Sequence, residues 1–221
     1  MQRTGIDGQV LWDAEPESAS LRDLQRFVEY LNKDLPLLDL GCGNGRQTRF
    51  LARHFSYVIG VDVSPSVIQL ARIETIDEGN VEYRVLDAVE TSQARLLHEE
   101  FGDMNVYMRG VFHVIKEPDR PNFIRSLEEI LGEMGVLYQI EPSRKARACF
   151  ETLPRSDLYR LPAWVDSIGF DLKDRELHFP DDRWVVLDQR GDLSISTIPL
   201  SHGEEALVPA SSLLLRRRIR P

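Results

Sequence analysis

The chain has 221 residues, 42% of them hydrophobic and 29% charged, enough to bury one sizeable core and too little for two large ones. Its 27 Lys and Arg stand against 36 Asp and Glu, a net charge of −9, and Arg216, Arg217, Arg218 and Arg220 crowd the carboxyl terminus, so the body is more acidic still and a broad polyphosphate-binding face is disfavoured. No apolar stretch reaches bilayer-spanning length, Met1 to Val10 holds no apolar signal segment, and Cys42 and Cys149 form neither a C-x-x-C nor a cluster with histidines, so the expectation is a cytoplasmic protein with no membrane span, disulfide framework or metal site.

In chain order, the first periodic segment starts at Ser20 and places Leu21, Leu24, Phe27, Val28 and Leu31 on one stripe; Ser20 and Asp23 read as a capping pair, and Pro36 ends the segment. Leu37-Leu38-Asp39-Leu40 is a short apolar run leading into glycines, then a helical stretch around Phe50 and Leu51, then the apolar run from Tyr57 to Val61. Ser64-Pro65 predicts a helix start, with Val67, Ile68, Ala71 and Ile73 facing inward. Val81, Tyr83 and Val85 alternate as in a strand, Leu96 and Leu97 mark a helix, and Met104 to Met108 reads as a buried strand. Phe123, Ile124, Leu127, Ile130 and Leu131 give the cleanest helical stripe, ended by Gly132 and Gly135 before the strand Val136 to Ile140. Strands alternating with helices predict a parallel sheet covered on both faces. After Pro142 the rhythm changes to a basic stretch (Arg144, Lys145, Arg147), a helix near Trp164 to Ile168, and strand-like runs near 171–178, 193–199 and 211–216, which predict an antiparallel edge.

The chemistry gathers at strand ends. Asp39-Leu40-Gly41-Cys42-Gly43-Asn44-Gly45 joins a strand to a helix, where an open parallel sheet binds nucleoside-type ligands and glycine lets backbone approach closely. The spacing is G-x-G-x-G, with Arg46 where a dinucleotide fingerprint needs glycine, and no phosphate-cradling G-x-x-x-x-G-K-[ST] is present. Asp62 ends the second strand, suited to the vicinal hydroxyls of a ribose, and Asp87 ends the third, suited to an exocyclic amine such as that of adenine. Three strand-tip carboxylates, Asp39, Asp62 and Asp87, predict an acidic ring that repels pyrophosphate and suits a cationic ligand; S-adenosylmethionine has ribose, adenine, ammonium and sulfonium, and no phosphate.

With these motifs in order, and with Val61-Asp62-Val63-Ser64, Leu86-Asp87-Ala88 and Met108-Arg109-Gly110-Val111-Phe112-His113, the segment from about Leu37 to Ile140 resembles the class I S-adenosylmethionine-dependent methyltransferases of small-molecule type. The resemblance implies a Rossmann-like, doubly wound, seven-stranded and mostly parallel α/β sheet with an antiparallel carboxyl-terminal edge. It further implies glycines under the methionine part of the cofactor, Asp62 on its ribose and Asp87 on its adenine. The expected organisation is a single domain, 1–221, made of an amino-terminal helical cover (1–35), a cofactor-binding core (36–141) and a substrate-side region (142–221). The expected cofactor contacts are Asp39, Gly41, Cys42, Gly43, Asn44, Gly45, Asp62, Val63, Asp87, Ala88, Arg109 and Gly110; on the residues alone, Cys42 also reads as a small buried filler and Asn44 as a turn-holding side chain.

Acceptor-side expectations are looser. His113 is the candidate to touch the acceptor or take its proton, and packing at a helix start is its plain alternative. Arg109 and the basic stretch after the fifth strand could hold an acidic acceptor, and solvated surface charge is the favoured reading. Trp12 and the helix from Ser20 resemble the amino-terminal segment that covers the cofactor in many small-molecule members, with a packing anchor as the alternative for Trp12; the segment Leu193 to Val208 is a candidate wall of the acceptor pocket, and Arg216-Arg217-Arg218 reads as charge guarding an edge strand. The Asn/Asp/Ser-Pro-Pro-aromatic pattern of nucleobase amine methyltransferases is absent after the fourth strand, so no nucleic-acid partner is expected. The reading is O-methylation of a small molecule; N- or C-methylation of a metabolite and a non-catalytic S-adenosylmethionine binder are the alternatives, and a homodimer is compatible with each.

Overall fold

The computed structural model describes residues 19–76, 78–152, 169–199 and 205–219. Trp12 and the helix predicted at Trp164 to Ile168 lie outside them. Seven strands form one sheet in the order β3-β2-β1-β4-β5-β7-β6. They are β1 (Leu37–Leu40), β2 (Val58–Asp62), β3 (Val81–Val85), β4 (Asn105–Arg109), β5 (Val136–Pro142), β6 (Trp184–Pro199) and β7 (Glu205–Arg217). The first five are mutually parallel; β7 runs antiparallel to both β5 and β6, so one reversed strand is inserted beside six that share a direction. β1 and β5 are buried along their whole length, as apolar runs without polar alternation require once helices cover both faces.

Among the described residues the helices are α1 (Ser20–Phe27), α2 (Arg46–Ala52), α3 (Pro65–Glu74), α4 (Thr91–Phe101), α5 (Arg120–Leu131), α6 (Ala146–Glu151) and α7 (Arg175–His178). One face of the sheet buries Leu38, Ile59, Val106 and Leu137 under Leu97 of α4 and Leu127, Ile130 and Leu131 of α5. The other buries Leu37, Val58, Tyr107 and Tyr138 under Leu24 and Phe27 of α1 and Leu51 of α2. The chain returns from edge strand β3 to lay β4 against β1, so neighbouring strands β1 and β4 send their following loops in opposite directions; their carboxyl ends form the topological switch point.

Four local expectations change. Ser20 does not cap α1: the N-cap is Ala19, and the buried Ser20 hydroxyl donates to Gln47 of α2 instead. Leu21 and Ile73 face outward, at 38% and 62% exposure, since each lies off the stripe that meets the sheet. The run 171–178 is helical, because Asp171 and Asp174 form a reciprocal capping box that opens a 3-10 turn (Leu172–Asp174) leading into α7. The terminal arginines do not guard an edge, as β7 is the penultimate strand; Arg217 Nη1 donates to the carbonyls of Glu128 (3.1 Å) and Gly132 (2.9 Å) and so closes the carboxyl end of α5.

Candidate active site

The loop after β1 is held by its own bonds. The Val61 carbonyl accepts the N–H groups of both Gly41 (2.8 Å) and Cys42 (3.0 Å), and the Cys42 carbonyl accepts that of Gly45 (3.0 Å). Asn44 Oδ1 accepts the Arg46 N–H at 3.2 Å, the turn-holding role read from the sequence. Gly41 and Gly45 sit at φ of 80° and 78°. A Cβ at Gly41 would lie 2.5 Å from Val111 Cγ2, and one at Gly45 would run into the Tyr83 phenol. Both glycines are therefore demanded by the protein's own packing as well as by backbone conformation. Cys42 is buried with Ile68, Ala71 and Tyr83 as a filler, and burial pushes its thiol well above the usual range.

The three strand-tip acids have separate surroundings. Asp62 is partly exposed; Oδ1 accepts the Ser64 N–H (2.9 Å) and Oδ2 that of Gly43 (3.2 Å), so this carboxylate ties the β1 loop to the start of α3. Burial raises its pKa and the two N–H groups oppose the rise. Asp87 Oδ1 accepts the Val89 N–H (2.9 Å), while the Asp87 N–H donates to Gln93 Oε1 (3.0 Å). Asp39 departs from the predicted ring: it is 2% exposed, accepts the Thr48 hydroxyl at 2.6 Å, and burial, opposed by that bond and aided by the Asp62 charge, pushes it up to about 7. A carboxyl partly protonated near neutrality and turned to α2 is not an open anion facing a ligand. Beside Asp62, Val63 is 62% exposed, whereas Ala88, after Asp87, is buried.

At the end of β4, Arg109 Nη1 lies 2.6 Å from Asp23 Oδ2 of α1. Tyr107 donates to the same oxygen at 3.0 Å; Tyr138 (3.2 Å) and Arg26 (3.1 Å) donate to Oδ1. The Arg109 side chain is thus engaged with the helix above it. The two arginines of the basic stretch are likewise paired: Arg144 lies 2.6 Å from Asp174, and Arg147 3.5 Å from Glu151. Leu193, Ile195 and Val208 pack into the apolar layer beneath α1 and α6, giving the wall predicted there a core role.

Gly110 follows at φ 68°, its N–H on the Ile140 carbonyl at 2.9 Å, and a 3-10 turn (Phe112–Val114) comes next. Glu141, at the tip of β5, holds this turn. Its Oε1 accepts the N–H groups of Val111 (3.0 Å) and Phe112 (2.8 Å), and its Oε2 lies 2.6 Å from His113 Nδ1. Both side chains are buried.

The structure therefore brings Gly41 to Gly45, Asp62 and the segment Arg109 to His113 around the ends of β1, β2 and β4, with Asp87 closing the end of β3. Sequence reasoning missed Asp23 and Glu141. Asp23 looked like a helix-start acid because, Arg26 aside, the partners Tyr107, Arg109 and Tyr138 lie 84 to 115 residues away. Glu141 was open to discovery, since it is an acid at the carboxyl end of β5, next to its last residue, as Asp62 is at the end of β2.

A family profile described as a methyltransferase domain matches residues 37–135. The ubiquinone biosynthesis O-methyltransferase of Xylella fastidiosa is 33% identical over 186 residues, 74% of this chain and 74% of that protein. Its namesake from Xanthomonas euvesicatoria pv. vesicatoria is 31% identical over 191 residues, 74% and 76% of the two chains. The chain spans about half (53%) of the enzyme of the same name from Hydrogenovibrio crunogenus, at 29% identity. Among solved structures, a SAM-dependent methyltransferase from Anabaena variabilis superposes with a TM-score of 0.82 at 37% identity, covering 94% of this chain and 87% of that one.

Proposed function

Because the chain belongs to the class I S-adenosylmethionine-dependent methyltransferases, we propose that it methylates an oxygen atom of a small-molecule acceptor, with S-adenosylmethionine bound across the ends of β1, β2 and β3. The observation that carries the cofactor site is the state of Asp62. A carboxylate offers about four acceptor positions, and each Asp62 oxygen uses one on a backbone N–H of the loop or of the α3 start. The remaining capacity suits two vicinal ribose hydroxyls, at a side chain that stays partly exposed. The residues present fit the cofactor.

In this reading Val63 offers an exposed apolar face for adenine beside Asp62, and Asp87 with Ala88 receives its amine edge. The backbone from Gly41 to Gly45 and at Gly110 borders the methionine part. Cys42 and Asn44 shape that backbone without donating side chains to it; Asp39 steadies α2 through Thr48, and Arg109 serves through its main chain and through Asp23. S-adenosylmethionine supplies, when bound, a methyl group on a sulfonium leaving group. This chain's residues align the acceptor and exclude water, and much of the rate gain in such a displacement comes from alignment. His113 accepts the proton that a hydroxyl acceptor must lose, whereas a carboxylate acceptor is already ionised and leaves His113 only a contact role.

Oxygen as the acceptor atom is supported by the shared name of the relatives from Xylella and Xanthomonas. The test is calorimetric titration with S-adenosylhomocysteine, followed by release of that product from S-adenosylmethionine in the presence of small hydroxyl and carboxylate acceptors, 3,4-dihydroxybenzoate among them. Binding together with acceptor-dependent product release is expected. Binding with no release would favour a non-catalytic binder, and no binding at all would overturn the reading.

A further inference from the structure

We infer that Glu141 is a positioning residue for methyl transfer, fixing both the turn after β4 and the tautomer of His113; the inference rests on the reading of His113 proposed above. A carboxylate at the tip of β5 faces three backbone N–H groups, those of Val111, Phe112 and His113 at 3.0, 2.8 and 3.3 Å, and the ring nitrogen Nδ1 of His113 at 2.6 Å. Glu141 is fully buried and His113 is 3% exposed, so neither water nor a second rotamer readily replaces these contacts.

The chemistry follows from the donor count. An ionised carboxylate only accepts hydrogen bonds, so Nδ1 carries a proton whether the imidazole is neutral or charged. The nitrogen that takes up or releases a proton is then Nε2. The same carboxylate fixes where the ring sits: His113 Cε1 would lie 3.8 Å from a Cβ at Gly110, so the ring stands over the backbone that leaves β4. A partner that sets tautomer and orientation for a histidine acts on catalysis without touching the reacting atoms.

Glu141→Gln separates this role from simple support of the turn. Its amide oxygen can still accept the Val111 and Phe112 N–H groups, while its NH2 faces Nδ1 and drives the imidazole proton to Nε2. Long-range nitrogen–proton NMR spectra of labelled protein at about pH 9, above the ordinary imidazole range, are expected to show the Nδ1–H tautomer for wild-type His113 and the Nε2–H tautomer for the variant. S-adenosylhomocysteine affinity should hold, while kcat for 3,4-dihydroxybenzoate falls roughly tenfold or more, within the scale of acid–base assistance, at unchanged KM for S-adenosylmethionine. An Nε2–H tautomer in the wild-type protein overturns the inference even if the variant fails to fold, and so does an inverted tautomer with undiminished kcat. A wild-type enzyme inactive toward every one of the hydroxyl and carboxylate acceptors counts against the proposed function instead, and the wild-type and variant tautomers still decide the Glu141 assignment.

Discussion

Arg109 at the end of β4 and Asp23 in the middle of α1 are 86 residues apart in the chain and 2.6 Å apart in the fold. Their side chains are 13% and 1% exposed. The pair sets the height of α1 over the sheet, because the same carboxylate also takes the Tyr107 and Tyr138 hydroxyls while Phe27, one turn further on, packs 4.8 Å from the Tyr138 ring. A helix of eight residues has little stability of its own; here it is fastened by one polar anchor and one aromatic anchor.

Asp23→Ala leaves Arg109 without that counter-charge and removes the acceptor of two buried phenols. Breaking a buried pair from one side costs about 3–5 kcal/mol, so urea unfolding should show a loss of that order. Asp23→Asn keeps an acceptor for the phenols and should lose less. A cost below about 1 kcal/mol, the range of exposed pairs, would mean that α1 is not fastened here.

Asp39 should make stability depend on pH in an unusual direction. Its carboxyl is raised from 3.8 to about 7 in the folded protein, so between these values the folded chain holds a proton that the unfolded chain has released. Its contribution to stability therefore falls as pH climbs from about 4 to about 7, by up to about 4 kcal/mol, and levels off above. Asp39→Asn, which still accepts from Thr48, should be more stable than wild type at pH 8 and lose this part of the slope; parallel stability profiles for the two proteins would refute the assignment.

Gly45→Ala adds a methyl group where φ is 78° and the Tyr83 ring already fills the space. The left-handed backbone alone costs about 1–2 kcal/mol, and overpacking adds about 1–3 kcal/mol. In a Tyr83→Ala background only the backbone part should remain. A double-mutant cycle with no coupling would show that the phenol does not enforce this glycine.

Asp62→Ala should weaken S-adenosylhomocysteine binding by roughly tenfold or more, the scale of hydrogen bonds to a charged group. It should also cost about 1–2 kcal/mol of stability, since two backbone N–H groups lose their acceptor. Asp62→Asn should fall between. Calorimetry paired with thermal melts separates the two effects, and unchanged affinity would remove Asp62 from the ribose.

What this sequence determined by itself is local and periodic. Apolar runs, helical stripes and the Gly41 to Gly45 turn fixed β1 to β5, the helices between them and where the proposed site lies, because burial of one face at a fixed repeat is written in neighbouring residues. The exception at 171–178 is also local: the run read as strand-like, while Asp171 and Asp174 cap a 3-10 turn that leads into α7. Only the tertiary structure decided the roles of the polar residues. Asp39, Asp62 and Asp87 look alike as strand-tip acids, yet one is buried against Thr48, one bridges two loops and one closes its own turn. Asp23, Tyr107, Arg109 and Tyr138 became one anchor, and His113 gained Glu141, through contacts between elements far apart in the chain. A charge acquires its role from what surrounds it once water is removed, and those surroundings exist only after the sheet has closed.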